Sequence, residues 1–251
     1  MFEIETLARV ALITRARRLL PEGAKLIYLV VTGSHSYGTS TPQSDLDVRG
    51  VYLHNPVSLL SMHRPSDEIP DPIMDLKLWS LGKFYQQLIK GSPNATEMLF
   101  SPEDCVLFKD DLMDPTIISR STFISSATLE AYKGMMGNNQ HLSTRQYKNL
   151  DEPATKKAAG HHLRLAIELL NLVLDGRPKV RLPEDFANEV RSARTQSVEI
   201  TGADAEWYST HAISMIDAGM AHRRLGTTPP EQYADYLHTA IYQGLLTGVI
   251  Q

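Results

Sequence analysis

Hydrophobic positions along the chain change period several times, and each change marks an element. Ile4, Leu7, Ala8, Ala11, Leu12, Ala16, Leu19 and Leu20 recur at helical spacing, with Arg9, Arg15, Arg17 and Arg18 largely between them. Pro21 and Gly23 end that pattern, so the spacing predicts an amphipathic first helix. Lys25 to Thr32 is an apolar, β-branched run too short for a typical helix and reads as a buried strand. Leu46 to Leu53 reads as a second strand and Ile73 to Trp79 as a third. In the third, Met74, Leu76 and Leu78 face one way and Ile73, Asp75 and Lys77 the other. Between them, Pro56, Pro65, Pro70 and Pro72 predict a loop-rich connection. Ser80 suits the N-cap of a helix striped by Leu81, Phe84, Tyr85, Leu88 and Ile89 and stopped by Gly91, and Ser92-Pro93 restarts a short helix carrying Glu97, Met98 and Leu99.

Beyond Ser101 the pattern turns mostly helical. Ala158, Leu163, Ala166, Ile167, Leu170 and Leu174 mark one broad side of a helix over Lys156 to Leu174, ended by Asp175-Gly176-Arg177-Pro178. A last amphipathic segment, about Glu231 to Leu246, follows Pro229-Pro230. The expected architecture is α+β: a small mixed β-sheet domain over residues 1–110, then a mainly helical region over 111–251 that completes its cleft.

Composition narrows the classes. The 251 residues carry a formal net charge of -4, which argues against a generally basic nucleic-acid coat and confines any polynucleotide contact to a local patch. The single cysteine, Cys105, excludes an intramolecular disulfide framework and fits a reducing compartment. No apolar stretch is long enough for a signal sequence or a membrane span, so a soluble, cytoplasmic protein is expected.

The chemistry concentrates in Gly33-Ser34-His35-Ser36-Tyr37-Gly38 and the nearby Asp45-Leu46-Asp47. Glycine at a strand end lets the backbone turn tightly against phosphates, and the serine hydroxyl with neighbouring N–H groups can donate to their oxygens. Alternation along a strand puts Asp45 and Asp47 on one face, and Asp75 on the third strand could bring a third carboxylate to the same sheet edge. Three carboxylates suit a two-metal site for phosphoryl chemistry, with magnesium the expected ion and manganese the alternative. A P-loop is excluded, since no Gly-x-x-x-x-Gly-Lys-Ser/Thr run exists, and His161-His162 lacks the spacing of a zinc hydrolase.

Lys157, His161 and Arg164 fall at helical spacing on one side, where they either close over a triphosphate or form an ordinary solvated face. His162 points elsewhere and suits packing. Glu97 either supports the site from a short helix near its mouth or, more simply, is an exposed first-turn carboxylate favouring its helix N-terminus. Arg49 is assigned to the face opposite Asp47 and a structural role, and Lys77 shares Asp75's side. His35 and Tyr37 are placed near a base or sugar. His141, Arg145, Tyr147 and Lys148 form a polar, partly basic cluster best read as surface charge.

The Gly33-Ser34 turn with Gly38, followed by Ser44-Asp45-Leu46-Asp47, resembles the signature of the DNA polymerase beta nucleotidyltransferase superfamily. Ser44 to Tyr52, Asp75-Leu76 leading into Leu81-Gly82-Lys83-Phe84, Gly91 to Phe100, and Lys157-Ala158-Ala159-Gly160-His161-His162-Leu163-Arg164-Leu165 resemble the RNA repair pathway DNA polymerase beta family within it. That resemblance spans about Val31 to Arg181. It implies an α/β catalytic domain followed by helices, and magnesium-dependent use of a nucleoside triphosphate. It also implies Asp45, Asp47 and Asp75 as catalytic metal ligands, and Gly33, Ser34, Lys157, His161 and Arg164 as nucleotide contacts. The expected reaction moves a nucleoside monophosphate to an RNA end, a protein side chain or a small molecule with release of pyrophosphate. The alternative is a non-catalytic nucleotide sensor or partner subunit.

Overall fold

The computed structural model of the protein describes residues 4–62, 65–145, 153–193, 198–218 and 230–247. A first helix, α1 (Thr6–Leu19), precedes β1 (Lys25–Thr32), the one-turn helix α2 (Gly33–Tyr37), β2 (Asp47–Leu53), β3 (Glu68–Pro70) and β4 (Leu76–Ser80). Helices α3 (Leu81–Ile89) and α4 (Pro93–Leu99) follow, then β5 (Val106–Lys109) and α5 (Asp114–Ile118). The rest is helical: α6 (Ser126–Arg145), α7 (Pro153–Asp175), α8 (Glu184–Ser192), α9 (Val198–Asp217) and α10 (Pro230–Leu246).

The five strands form one mixed sheet in the order β3-β4-β2-β1-β5. β1 pairs antiparallel with β2 and β5, β3 antiparallel with β4, and β2 parallel with β4. A register shift between Leu26 and Tyr28 is a bulge, and it puts the consecutive residues Ile27 and Tyr28 in the same core cluster. From there Leu29 and Val31 join Val48, Tyr52, Leu76 and Leu78 under α1, while Val30, Val51 and Leu53 pack against α3, α4 and α10. α1 buries only Leu12 and Ala16 and is tied down by its arginines. Arg9 donates to the Leu107 carbonyl at 2.8 Å, Arg15 pairs with the buried Asp71, and Arg17 lies over the Phe108 ring.

The α+β architecture is as expected, and β1, α3, α4, α7 and α10 form where the pattern puts them. Ser80 caps α3 by accepting the Lys83 N–H at 3.1 Å. Three details differ. The connection rich in proline contains β3, an edge strand that tolerates Pro70 because a missing N–H there breaks no central ladder. The third strand begins at Leu76, so Ile73 and Asp75 precede it. α7 is buried well beyond one stripe: Leu165, Leu169, Leu172 and Val173 are enclosed as well, because α6, α8 and α9 surround it. α10 returns to the sheet, where Ala234, Leu237, Ile241 and Tyr242 join Phe84, Tyr85 and Phe123 in one core.

Candidate active site

Register creates the centre of the site. Thr32, the last residue of β1, pairs with Asp47, the first of β2, and β2 runs parallel to β4 with Val48 opposite Leu76. Asp75 therefore stands beside Asp47, and its carbonyl accepts the Val48 N–H at 2.8 Å. The two carboxylates are close enough for each to act on the other's proton affinity. Burial, then the Asp75 carboxylate beside it, push Asp47 up to about 6, against the opposing charges of Arg49 and Lys157. Asp75 moves the other way, held below the usual carboxylate range chiefly by Arg49, whose Nη1 lies 2.7 Å from Asp75 Oδ1.

Gly33 closes the site from the β1 end. Its φ is +69°, a conformation L side chains rarely adopt, and a Cβ built there would lie 2.0 Å from Asp47 Oδ2. Glycine is needed both for the turn and for the space the Asp47 carboxylate fills. The chain then makes the single turn α2, ended by Gly38 at φ +78°, with the Ser34 carbonyl accepting the N–H groups of Gly38 and Thr39. On the opposite side α7 presents Lys157, whose exposed side chain is near enough for its charge to act on Asp47, and His161, exposed one turn on.

Other expectations need correction. Asp45 lies in the exposed segment before β2, not on a strand face shared with Asp47. Among the described residues no group of three or more acids, histidines or cysteines is arranged to hold a metal ion. Arg49 does not oppose Asp47: two residues apart on one strand they share a face, and Arg49 reaches Asp75.

Arg164 is enclosed rather than presented on an outer face of α7. Its side chain is 6% exposed, with Nη1 3.0 Å from Glu97 Oε1 and 2.5 Å from Glu168 Oε2, and its guanidinium lies 3.9 Å above the centre of the Tyr37 ring. Glu97 is likewise buried rather than exposed, and Tyr37 points into this cluster, where its hydroxyl donates to Glu97 Oε2. Burial drives Glu168 well above the usual carboxylate range, against the opposing charge of Arg164. His162 packs inside, as expected, and burial lowers its pKa. Lys77 pairs with Glu68. Tyr147 and Lys148 lie outside the described residues.

Periodicity missed Arg181 and Arg191. Both reach the C-terminal end of α2 from the helical region: Arg181 Nε donates to the Ser36 carbonyl at 3.4 Å, Arg191 Nη1 donates to the Gly38 carbonyl, and the Leu182 N–H donates to the Tyr37 carbonyl at 3.1 Å. Nothing local in sequence distinguishes these arginines from surface ones.

The sheet, the Gly33 turn against Asp47 and the helix carrying Lys157 lie within residues 5–201, which match the model of RlaP, the RNA repair pathway DNA polymerase beta family. The chain belongs to this family. That family suggests a nucleotidyltransferase-like role. Two curated relatives are themselves uncharacterised. An enterobacteria phage T4 protein of 38.9 kDa, from the nrdC-mobD intergenic region, is 33% identical over 92 residues, or 33% of this chain and 27% of that protein. Protein YcgL of Bacillus subtilis is 33% identical over 82 residues, or 32% of each. The chain thus spans no more than about a third of the relatives it matches. Among the described residues, no helix is long and apolar enough to cross a membrane.

Proposed function

We propose that the protein is a metal-dependent nucleotidyltransferase that transfers a nucleoside monophosphate from a nucleoside triphosphate to an acceptor and releases pyrophosphate. The observation that carries this reading is the Asp47–Asp75 pair, with Gly33 packed on the Asp47 carboxylate and Lys157 acting on it from α7. Two neighbouring carboxylates repel unless a proton or a cation lies between them, and the raised pKa of Asp47 is burial, then that repulsion, expressed as proton affinity. Hard oxygen donors of this kind fit magnesium, or manganese in its place. Asp47 and Asp75 would hold the ion, with Asp45 supplied from the segment before β2. Bound there, the metal offsets negative charge on the phosphates and their reacting oxygens.

The chain's own groups do the rest. Gly33 and Ser34 bring backbone close to the phosphates, and Lys157 and His161 meet the triphosphate from α7, with Lys157 neutralising charge on the departing pyrophosphate. Arg164 supports this arrangement from within. An acceptor oxygen attacks the α-phosphorus, and the bond to the oxygen bridging α- and β-phosphorus breaks. Residues 1–110 supply the carboxylates and 111–251 the opposing wall. The acceptor is an RNA end, a protein side chain or a small molecule.

The test is incubation with each α-labelled nucleoside triphosphate, magnesium or manganese, and pooled RNA, protein and small-molecule acceptors. Label transfer and pyrophosphate release are expected with the wild-type chain and not with Asp47→Ala or Asp75→Ala. Nucleotide binding without turnover under every condition would favour a sensor, and neither binding nor turnover would overturn the site.

A further inference from the structure

The cluster around Arg164 is the most elaborate buried polar arrangement among the described residues, and the transfer reaction does not use it directly. Arg164 from α7 is held between the Tyr37 ring of α2, Glu97 of α4 and Glu168 of its own helix. Arg164 Nε, Glu168 Oε1 and the Tyr132 hydroxyl are buried with no hydrogen-bond partner among the protein's own groups. Such a cluster is a poor way to gain stability, since apolar residues of similar volume serve as well or better. What it provides is direction: a planar cation flat on one ring and bonded to two carboxylates allows few relative placements of the elements it joins.

Those elements are the two sides of the active site. Tyr37 is the last residue of α2, whose first residue, Gly33, abuts Asp47. Arg164 and Lys157 lie seven residues apart on α7, two turns or about 10 Å, and so on the same side of the helix. We propose that Arg164 is a positioning residue: it locks α7 to α2, and thereby keeps the Gly33–Gly38 segment and Lys157 in register on Asp47. Arg181, Arg191 and the Leu182 N–H hold the carbonyls at this same C-terminal end of α2, so that end is gripped at both its ring and its backbone. The nucleotide consequence rests on the function proposed above, whereas the clamp on α2 does not.

The experiment compares wild type with Arg164→Met, Arg164→Lys, Glu97→Gln and, as a core control outside the cluster, Leu172→Ala. Amide hydrogen exchange is read at Gly38 and Thr39, whose N–H groups bond the Ser34 carbonyl, and at Leu29 and Val30 within the sheet. Arg164→Met and Glu97→Gln are expected to lose about tenfold or more protection at Gly38 and Thr39 while sheet amides keep theirs. In the transfer assay KM for the triphosphate should rise about tenfold, with a smaller fall in kcat, and Arg164→Lys should recover part of both. Leu172→Ala should lower the melting temperature without moving Gly38 and Thr39 relative to the sheet. If Arg164→Met does not fold, Glu97→Gln decides by the same readouts. Equal loss of protection in sheet and α2, or unchanged protection at Gly38 and Thr39, would overturn the inference. A wild type that neither binds nor transfers nucleotide would overturn the proposed function while the exchange data still judged the clamp.

Discussion

At the scale of single residues, Asp47 shows how a site opposes stability. Its folded-state pKa of about 6 is above the ordinary carboxylate value, so the folded chain binds that proton more tightly than the unfolded one. Stability from this group is therefore highest below about pH 4, falls as pH rises through about 6, and stays lower above it. Asp47→Asn removes the penalty. In metal-free buffer it should match wild type near pH 4 and exceed it at pH 8 by on the order of 1 kcal/mol, since solvent screens this half-buried group, read from melting curves, while losing nucleotidyl transfer. A variant no more stable at pH 8 than at pH 4 relative to wild type would contradict a half-buried Asp47 repelled by Asp75. The aspartates and the Gly-Ser turn were legible as residue types in order. That Arg164 turns inward was not, because helical spacing assigns residues to a side without saying what covers that side.

At the scale of elements, β3 is the piece that sequence concealed. It is three residues long, contains a proline, and is held by side chains rather than by an apolar pattern. Glu68 accepts from Lys83 of α3 and pairs with Lys77 of β4 at 3.0 Å, and these partners, Lys83 first, draw its pKa down to about 2. The sign is opposite to that of Asp47. Glu68 contributes stability above its unfolded value, and that contribution is lost as pH falls towards about 2. Glu68→Gln should cost about 1 kcal/mol near neutrality, and the difference from wild type should shrink through acid titration between pH 5 and 2. α2 was equally hidden, being a single turn whose support lies 120 or more residues away in Arg164, Arg181 and Arg191.

At the scale of the whole molecule, α10 ties the end of the chain to its beginning. Leu237 is 4% exposed in the core shared by β1, β2, α3 and α4, and the Tyr242 hydroxyl accepts the His54 N–H at 3.2 Å. Leu237→Ala should cost about 2–4 kcal/mol and lower a single melting transition, not a separate one for the tail. Two transitions would mean that α10 folds apart from the sheet. The sequence by itself determined the α+β order, the first strand, the capped α3, the long α7 and the aspartates of the site, because periodicity, caps and short motifs are local physical constraints. Tertiary structure alone decided that parallel β2–β4 register sets Asp75 beside Asp47, that Asp45 falls in the segment before β2, and that Arg164 is enclosed while Lys157 stays exposed with its charge acting on Asp47. Each depends on which distant segments meet, and neither charge pattern nor hydrophobic period encodes that meeting in a single stretch of chain.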